Sequence, residues 1–290
     1  MIIEKSPVKK ILLSLVSRIN RLLPGGVKKR LYHLGPVTRG IRLALNRISP
    51  SGYTPVVVSA GGLAGAKLWL DLQSEKDYWL GTYEVDLQQA IRQKLQPGWV
   101  VYDVGANIGY ITLLLARVVG PQGQVHAFEA LPENLERLRH HVGANGLETR
   151  VRVNALAVAA ESGPVTFLIG PSGSMGKISG SAGRDGQHRS AIQVEGISLD
   201  DYIYQLGNPP PQAVKMDIEG GEVLALRGMV RTLAEARPLV FLELHGPQAA
   251  RVAWDIFNQA GYKICRMQPD LPQVPALEDL DWKAYLVAVP

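Results

Sequence analysis

Near the middle of the chain, an apolar run ends in an acidic residue that is followed by two spaced glycines. The run at 100–102 leads to Asp103, then to Gly105 and Gly109, and apolar residues at helical spacing come next. A short continuous apolar run is typical of a buried parallel strand. A glycine turn lets the backbone approach a ligand, and the helix after it offers free N–H groups. The spacing predicts the first strand–turn–helix of a nucleotide-cofactor fold, with the ligand at the carboxyl edge of the sheet.

This spacing argues against a dinucleotide as the cofactor. The pyrophosphate fingerprint G-x-G-x-x-G requires a glycine where this chain has Asn107, and Gly109 falls too early to be its third glycine. Asp103 would also repel phosphates and attract a cation. S-adenosylmethionine carries an ammonium and a sulfonium group and no phosphate, and D-x-G-x-N-x-G resembles the first motif of the methyltransferases that use it. We therefore predict that Asp103 holds the methionine amino group of this cofactor, directly or through water. The residues assigned to the cofactor by this motif are Asp103, Gly105, Asn107 and Gly109.

A second acidic residue follows the next predicted strand. Residues 123–128 are mostly apolar, and Glu129 comes 26 residues after Asp103, which fits one crossover unit. A carboxylate at this place can accept hydrogen bonds from both hydroxyls of a ribose, as in related dinucleotide folds. The alternative is a solvated acid at a strand end. The presence of Asp103 and the glycines favours the binding role for Glu129.

Carboxylates and one histidine stand at the ends of two later predicted strands. One strand ends in D-I-E-G, with Asp217 and Glu219, and another ends in E-L-H, with Glu243 and His245. Because side chains alternate along a strand, the two acids of the first pair are predicted to point the same way, and so are the members of the second pair. Ligands of such sheets bind beside the strand ends at the topological switch point. Both pairs are therefore predicted to lie near the methyl group and its acceptor.

These residues suit methyl transfer to a hydroxyl group. Transfer from a sulfonium is an in-line displacement, so the enzyme mainly has to hold the nucleophile close to the methyl carbon and aligned with it. An alcohol must also lose its proton, which a positioned base can accept. His245 has a free pKa near neutrality, so His245 or Glu219 is predicted to be the base or to orient the acceptor. Asp217 is predicted to lie near the methyl and sulfonium groups.

Two other roles for these side chains stay open on the sequence alone. Asp217 and Glu219 can cap the helix that follows, because acids are favoured at a helix N-terminus. Together with Glu243 and His245, they can also bind a divalent ion that acidifies a substrate hydroxyl. The chain has no fixed ligand spacing such as H-E-x-x-H, so the sequence prediction is a site without a metal ion.

Several further segments complete a pattern that resembles a known family. The segments, in chain order, are 79–84, 154–158, 197–202, 214–222 and 241–245. Together with D-x-G-x-N-x-G, they resemble the FkbM family of S-adenosylmethionine-dependent methyltransferases over roughly residues 76–290. The most specific part is K-x-D-x-E-G at 215–220, followed by the strand end E-x-H at 243–245.

The resemblance implies a fold, an activity and two more candidates for the cofactor site. The fold is α/β, with a doubly wound, mostly parallel, Rossmann-like sheet of seven strands, and the last strand, at 285–289, is antiparallel. The activity is O-methylation of a hydroxyl on a sugar, glycan, lipid-linked saccharide or polyketide-like product. The added candidates are Ala157 and, at the methionine end of the cofactor, Glu84.

Other functions fit the sequence less well. A nucleic-acid methyltransferase would carry an aromatic element such as N-P-P-[YF] where this chain has D-I-E-G. Asn107 disfavours an NAD-dependent oxidoreductase, and the presence of Asp103 and Glu129 disfavours an inactive cofactor-binding scaffold. A methyltransferase for another small-molecule acceptor stays open.

The apolar runs and turn residues predict three parts along the 290 residues. They are a basic amphipathic helical extension at 1–50, a β-hairpin and short helix at 51–95, and the methyltransferase domain at 96–290. In the domain, strands and helices should alternate, as in a mostly parallel sheet. The expected strands lie near 99–104, 124–129, 151–155, 164–169, 191–196, 213–218, 238–245, 261–266 and 283–289, with later helices at about 220–236 and 247–260. The Gly- and Ser-rich segment 170–186 is expected to be a long loop that meets the acceptor.

The N-terminal extension holds the whole basic excess of the chain. The net charge is +5, but residues 1–50 contain eleven of the 31 lysines and arginines and one of the 26 acids, so they carry +10 and the remainder carries −5. Apolar residues recur there at helical spacing, and no apolar run is long enough to cross a membrane. Residues 5–48 therefore either dock on anionic lipid or a partner, or pack on the catalytic domain or across a homodimer. Nucleic-acid binding fits this segment less well.

The single cysteine of the chain, Cys265, bears on the cellular compartment. One cysteine excludes an internal disulfide and is compatible with a reducing environment. The predicted location is the cytoplasm, with peripheral docking at the inner membrane surface as one interpretation of the basic segment. Cys265 itself is expected to be a small buried strand residue.

Overall fold

The computed structural model describes residues 52–170, 176–182, 190–281 and 283–290. The chain divides into two compact units, Met1–Val85 and Asp86–Pro290. The predicted helical extension at 1–50 and its docking residues 5–48 lie outside the described residues. Among the described helices, none has the length and apolar character that crossing a membrane requires.

The described part of the first unit is a hairpin followed by a short helix. Strands β1 (Tyr53–Val57) and β2 (Lys67–Asp71) pair antiparallel, so the predicted hairpin is confirmed. Helix α1 (Lys76–Leu80) ends at Gly81, whose φ of 75° suits the left-handed turn that closes many helices. A Cβ at Gly81 would lie 2.0 Å from the carbonyl oxygen of Ala60, so only glycine fits this turn.

The second unit is built on a seven-stranded sheet and a smaller sheet of four strands. The strands of this unit are β3 (Val100–Val104), β4 (Gln124–Phe128), β5 (Val151–Asn154), β6 (Ala157–Val158), β7 (Gly163–Ile169), β8 (Gly176–Ile178), β9 (Ser190–Ile197), β10 (Ala213–Met216), β11 (Leu239–His245), β12 (Lys263–Arg266) and β13 (Lys283–Val289). The large sheet has the order β12-β13-β11-β10-β3-β4-β5. Its pairs from β11 to β5 are parallel, whereas β13 runs antiparallel to β11 and β12. The predicted doubly wound sheet with an antiparallel last strand is therefore confirmed.

Helices connect these strands and pack on them. They are α2 (Val85–Lys94), α3 (Tyr110–Val119), α4 (Pro132–Ala144), α5 (Glu222–Arg227), α6 (Val230–Glu235) and α7 (Pro247–Gln259). Prolines start α4 and α7, in the first turn, where a missing N–H has no helical partner to lose. Side chains of the central strands, such as Val214, Val240 and Leu242, are completely buried. These near-continuous apolar strands are what a parallel sheet buried on both faces requires.

The small sheet corrects the prediction for residues 170–186. Its order is β6-β9-β7-β8, and β8 pairs antiparallel with β7 inside the segment predicted to be one long loop. Ile178 is buried in an apolar cluster with Phe167, and Lys177 is buried with its Nζ donating a hydrogen bond to the carbonyl oxygen of Ala182. A strand of three residues is too short to show an apolar pattern of its own, and a Gly- and Ser-rich composition does not reveal that it pairs with the preceding strand.

The segment predicted as a single helix at 220–236 forms two helices, because the helix is interrupted at Gly228. A Cβ at Gly228 would lie 2.1 Å from the carbonyl oxygen of Ala159, so the backbone packs closely against a neighbouring segment at this point. The carboxylate of Asp200 accepts hydrogen bonds from the backbone N–H groups of Arg231 and Thr232 near the start of α6. These bonds satisfy free N–H groups of the new helix, so the second helix has its own cap.

Candidate cofactor and active site

The carboxyl ends of four neighbouring parallel strands form the candidate site. Lys215 of β10 lies opposite Asp103 of β3 in the parallel ladder. Asp217 comes directly after β10, Glu129 comes directly after β4, and His245 ends β11. Because parallel strands end at the same edge of a sheet, the residues predicted for cofactor and acceptor share one edge.

The loop after β3 lies directly against the end of β10. Gly105 has a φ of 77°, and a Cβ there would lie 2.0 Å from the carbonyl oxygen of Asp217. Gly109 has a φ of 90°, and a Cβ there would lie 2.5 Å from Cδ1 of Leu138. Both glycines are therefore required by their backbone angle and by close packing. Asn107, with a φ of 51°, takes another left-handed position, which asparagine tolerates better than most residues.

Asp103 is completely buried and makes two contacts within the protein. Its Oδ2 accepts a 2.6 Å hydrogen bond from Oγ1 of Thr112 in α3, and its Oδ1 lies 3.3 Å from Nζ of Lys215. The same Nζ donates a 2.9 Å hydrogen bond to the carbonyl oxygen of Gly105. Lys215 thus contacts both Asp103 and the backbone of the loop, a role that the sequence did not reveal. Oδ1 of Asp103 has no hydrogen-bond partner among the described residues, and its contact with a methionine amino group stays a prediction.

Glu129 holds the same loop from the side of β4. Its Oε2 accepts a 2.8 Å hydrogen bond from the backbone N–H of Asn107, and its Oε1 accepts one of 2.8 Å from that of Leu131. Burial raises the pKa of Glu129, and these hydrogen bonds and the charge of Lys215 oppose that rise. A carboxylate accepts about four hydrogen bonds. Glu129 therefore has acceptor capacity left while it holds the loop, and its contact with both ribose hydroxyls stays a prediction.

The two remaining cofactor candidates belong to different units. Ala157 is buried in β6 and packs in an apolar cluster with Ala130 and Leu131, which directly follow Glu129. Glu84 belongs to the first unit and has a positive φ of 43°. The contacts of Ala157 and Glu84 with the cofactor stay predictions.

His245 stands among carboxylates at the ends of β10 and β11. Its Nδ1 lies 3.1 Å from Oε1 of Glu222. Its Nε2 lies 3.4 Å from Oε1 of Glu243, 3.7 Å from Oε2 of Glu219 and 3.9 Å from Oδ1 of Asp217. The structure therefore brings the three predicted catalytic residues together, and both acids face one imidazole nitrogen, although they lie in the turn after β10 and not in the strand.

Glu222, in the first turn of α5, is a member of this group that the sequence prediction missed. It is completely buried, and its Oε1 accepts hydrogen bonds of 3.1 Å from the N–H of Ile218 and 3.3 Å from the N–H of Gly220. Glu222 thus binds the backbone of the turn that precedes α5. Asp217 and Glu219, for which the sequence had left helix capping open, lie beside the imidazole. A search for an acid at the first turn after K-x-D-x-E-G would have found it.

Lys283 is the second missed member. Its Nζ lies 2.6 Å from Oε1 of Glu243, across the antiparallel pair of β13 and β11. Because β13 is far along the chain, no local motif marks this lysine. The group, called the acid–histidine cluster below, consists of Asp217, Glu219, Glu222, Glu243, His245 and Lys283.

The carboxylates change the protonation of the histidine. Burial lowers the pKa of His245, but hydrogen bonds to Glu222 and Glu243 outweigh burial and raise the pKa to about 10. Burial raises the pKa of Glu243, but the hydrogen bonds and charges of His245 and Lys283 outweigh burial and lower the pKa to about 2. His245 is therefore protonated at neutral pH in this arrangement. It cannot take up a further proton, so a carboxylate such as Glu219 is the better candidate for the base.

Residues 103–270 match the sequence profile of the methyltransferase FkbM domain. This part of the chain begins at Asp103 in the cofactor loop and includes the strand ends that carry the acceptor acids. It contains every predicted site residue except Glu84.

Individual relatives and solved structures show how far the similarity extends. The hexuronic acid methyltransferase AglP of Haloferax volcanii is 26% identical over 200 residues, which cover 66% of this chain and 75% of AglP. The 31-O-demethyl-FK506 methyltransferase FkbM of Streptomyces tacrolimicus is 46% identical over 72 residues, which cover 24% of this chain and 26% of that protein. The crystal structure of methyltransferase FkbM from Methylobacillus flagellatus aligns with 75% of this chain and 53% of its own, at 18% identity and a TM-score of 0.43.

Proposed function

The chain belongs to the FkbM methyltransferase family and is an S-adenosylmethionine-dependent methyltransferase, and we propose that its acceptor is a hydroxyl group of a saccharide. The position of Asp217 carries this proposal. Its carbonyl oxygen adjoins Gly105 of the cofactor loop, and its carboxylate lies 3.9 Å from Nε2 of His245. Groups that can bind the cofactor and groups that can bind a hydroxyl therefore adjoin at one residue. AglP, whose name states that it methylates a hexuronic acid, supports a sugar acceptor.

The residues at this edge fit a cofactor that is positively charged. Oδ1 of Asp103 lies 3.3 Å from the ammonium group of Lys215 but has no hydrogen-bond partner among the described residues, so it can still accept a hydrogen bond from an ammonium group of the cofactor. Glu129 can still accept hydrogen bonds from a ribose. The carboxylates of Asp217 and Glu219 favour a sulfonium and would repel a phosphate. When bound, S-adenosylmethionine supplies a methyl group on a positively charged sulfur.

The acid–histidine cluster can hold a hydroxyl group for attack. Glu219 is the accessible acid, since 44% of its side chain is exposed. Glu219 would hold the acceptor hydroxyl and accept its proton as the oxygen is methylated. The imidazole of His245 holds the neighbouring carboxylates in place during this step.

A methyl-transfer assay on the full chain, with label in the methyl group, tests the acceptor class. The acceptors are neutral saccharides, uronic acids and lipid-linked saccharides, with RNA and protein as the comparison classes. We expect label on a saccharide hydroxyl, and Glu219→Gln should lower kcat by about 10²- to 10⁴-fold. The same variant should bind S-adenosylhomocysteine as the wild type does, because this product carries no sulfonium.

The exposed acid Glu278 provides the matched control for this assay. Glu278→Gln should leave kcat unchanged. Label that enters RNA, protein or a non-sugar compound, and no saccharide, would show that the proposed acceptor class is wrong.

We further propose that the protein is cytoplasmic and docks on anionic membrane surfaces through residues 5–48. Support comes from the charge of +10 in residues 1–50, against −5 in the remainder. The full chain should sediment with vesicles that contain anionic lipid, less so as salt is added, and not with neutral vesicles. Failure to bind anionic vesicles at low salt would refute the docking.

A further inference from the structure

Three side chains of the acid–histidine cluster place ligand atoms within reach of one ion. One atom each from Asp217, Glu243 and His245 lie within 4.8 Å of one another. Nε2 of His245 lies 3.4 Å from the Glu243 oxygen and 3.9 Å from the Asp217 oxygen. Atoms bound at about 2.1 Å to one ion lie about 3 Å apart at right angles and about 4.2 Å apart in line. Small side-chain movements therefore suffice to coordinate an ion.

Nε2 of His245 is a position that favours positive charge. Three carboxylates lie within 3.9 Å of this nitrogen, and carboxylates have no hydrogen to offer its lone pair. The lone pair of Nε2 therefore has no donor among these three carboxylates and is available to a metal ion. The cluster contains four carboxylates, one lysine and one histidine, so with the histidine protonated its six side chains still have a net charge of −2.

Glu222 supplies an observation that is independent of the acids around Nε2. It is completely buried and faces Nδ1 of His245 with Oε1, and its Oε2 has no hydrogen-bond partner among the described residues. A buried carboxylate oxygen without a partner can still accept a hydrogen bond or a cation. A carboxylate on the second nitrogen is also how metal-bound histidines are usually held, because it fixes the hydrogen on Nδ1 and directs Nε2 to the metal.

We propose that Asp217, Glu243 and His245 bind a divalent metal ion, and that Glu222 orients the histidine for it. Two carboxylates and one imidazole suit Mn²⁺ or a similar first-row ion, and three protein ligands leave positions for an acceptor hydroxyl. A bound ion would favour loss of the hydroxyl proton to Glu219 before the oxygen attacks the methyl carbon. Metal binding needs no assumption about the acceptor, whereas the catalytic consequence rests on the proposed function.

To test the binding, the chelator-treated full chain is titrated with Mn²⁺, and the free ion is measured by electron paramagnetic resonance. We expect one site per chain. Asp217→Asn and Glu243→Gln should each weaken Mn²⁺ binding by more than about 100-fold, and Glu222→Gln should weaken it by about 10- to 100-fold. Glu195→Gln, at an exposed acid of β9, is the matched control and should bind as the wild type does.

Binding of S-adenosylhomocysteine, measured by calorimetry, shows which variants are folded. Folded wild type that binds this nucleoside but no Mn²⁺ would overturn the proposal, and so would equal Mn²⁺ binding by the wild type and the Asp217 and Glu243 variants. Saccharide methylation that persists in excess chelator would refute the catalytic consequence and leave the proposed function intact. Specific Mn²⁺ binding without saccharide methylation would uphold the site and contradict the acceptor class.

Discussion

Lys215 and Asp103 form a buried ion pair that joins two central strands at the cofactor loop. Nζ of Lys215 lies 3.3 Å from Oδ1 of Asp103, and the two side chains are 5% and 0% exposed. The residues are direct neighbours in the parallel ladder of β10 and β3. Because the same Nζ also binds the carbonyl oxygen of Gly105, one ammonium group fixes both the acid and the loop that follows it.

Lys215→Met should destabilise the protein strongly. The substitution keeps most of the side-chain length but leaves the carboxylate of Asp103 buried without its counter-charge. Loss of one partner from a buried pair lowers the free energy of unfolding by about 3–5 kcal/mol. Urea unfolding measures this change, and calorimetry should show weaker binding of S-adenosylmethionine because the Gly105 loop loses its anchor.

Two variants make the Lys215 result specific. Lys263→Met, at an exposed lysine of β12, should change the free energy of unfolding by less than about 0.5 kcal/mol. Asp103→Asn combined with Lys215→Met removes both charges, so it should recover part of the loss. A Lys215 variant that is no less stable than the Lys263 variant would show that the pair does not hold the strands together.

Gly105→Ala should abolish cofactor binding. The new methyl group would lie 2.0 Å from the carbonyl oxygen of Asp217, at a φ of 77°, so the loop must move away from β10. Gly146→Ala is the matched control, because Gly146 has a φ of 64° and no atom within 4 Å of the added methyl. In the control, backbone strain should lower the free energy of unfolding by only about 1–2 kcal/mol. Calorimetry with S-adenosylhomocysteine separates the two, and equal affinities would contradict the close approach.

Glu129→Gln should weaken binding of S-adenosylmethionine and S-adenosylhomocysteine by the same factor. An amide presents one oxygen where the carboxylate presents two, so one N–H of Asn107 or Leu131 loses its acceptor, and hydrogen bonds of the ribose are lost as well. A charged hydrogen bond contributes about 1.5–3 kcal/mol, which corresponds to about a tenfold to a hundredfold loss of affinity. Glu133→Gln, at an exposed acid of α4, should have no effect. An effect on one ligand only would place Glu129 away from the ribose.

The sequence predicted the large sheet well because its strands are apolar runs that end in recognisable motifs. It failed where composition does not reveal a pairing or a packing contact: β8 has three residues and pairs with the preceding strand β7, and the helix at 220–236 breaks where Gly228 packs against Ala159. The same limit applies to the site. The free pKa of histidine suggested His245 as a base, but hydrogen bonds to Glu222 and Glu243 reverse that expectation, and the sequence prediction had missed Glu222.

His126 is expected to make the protein less stable as the pH falls. Its ring is buried in β4, stacks on Tyr102 and lies 2.8 Å from the hydroxyl of Tyr202. Burial, and then the charge of Arg152, lower the pKa of His126 from 6.5 to about 4. The unfolded chain therefore binds a proton at a higher pH than the folded protein does. The contribution of His126 to stability is complete above pH 6.5 and is lost as the pH falls toward 4.

Urea unfolding of the wild type and of His126→Phe measures this dependence. When the pH is lowered from above 6.5 to a value between 4 and 6.5, the free energy of unfolding should fall more in the wild type than in the variant. The carboxylates titrate in both proteins, so the difference between the two losses belongs to His126. Equal losses would mean that His126 takes up a proton in the folded protein as readily as in the unfolded chain.

Lys283→Met should strengthen the binding of a divalent ion to the acid–histidine cluster. Nζ of Lys283 lies 2.6 Å from the Glu243 oxygen that faces Nε2 of His245, so the ammonium and the ion compete for one carboxylate. Removal of a charge about 4 Å away is worth several kcal/mol at the effective dielectric of a protein surface, so the affinity for Mn²⁺ should rise at least about tenfold. Lys283→Arg retains the charge and should bind Mn²⁺ as the wild type does. A gain of affinity on loss of Lys283, together with a loss in Glu243→Gln, is expected only if the ion is bound by Glu243. Unchanged affinity in Lys283→Met would place any bound ion elsewhere.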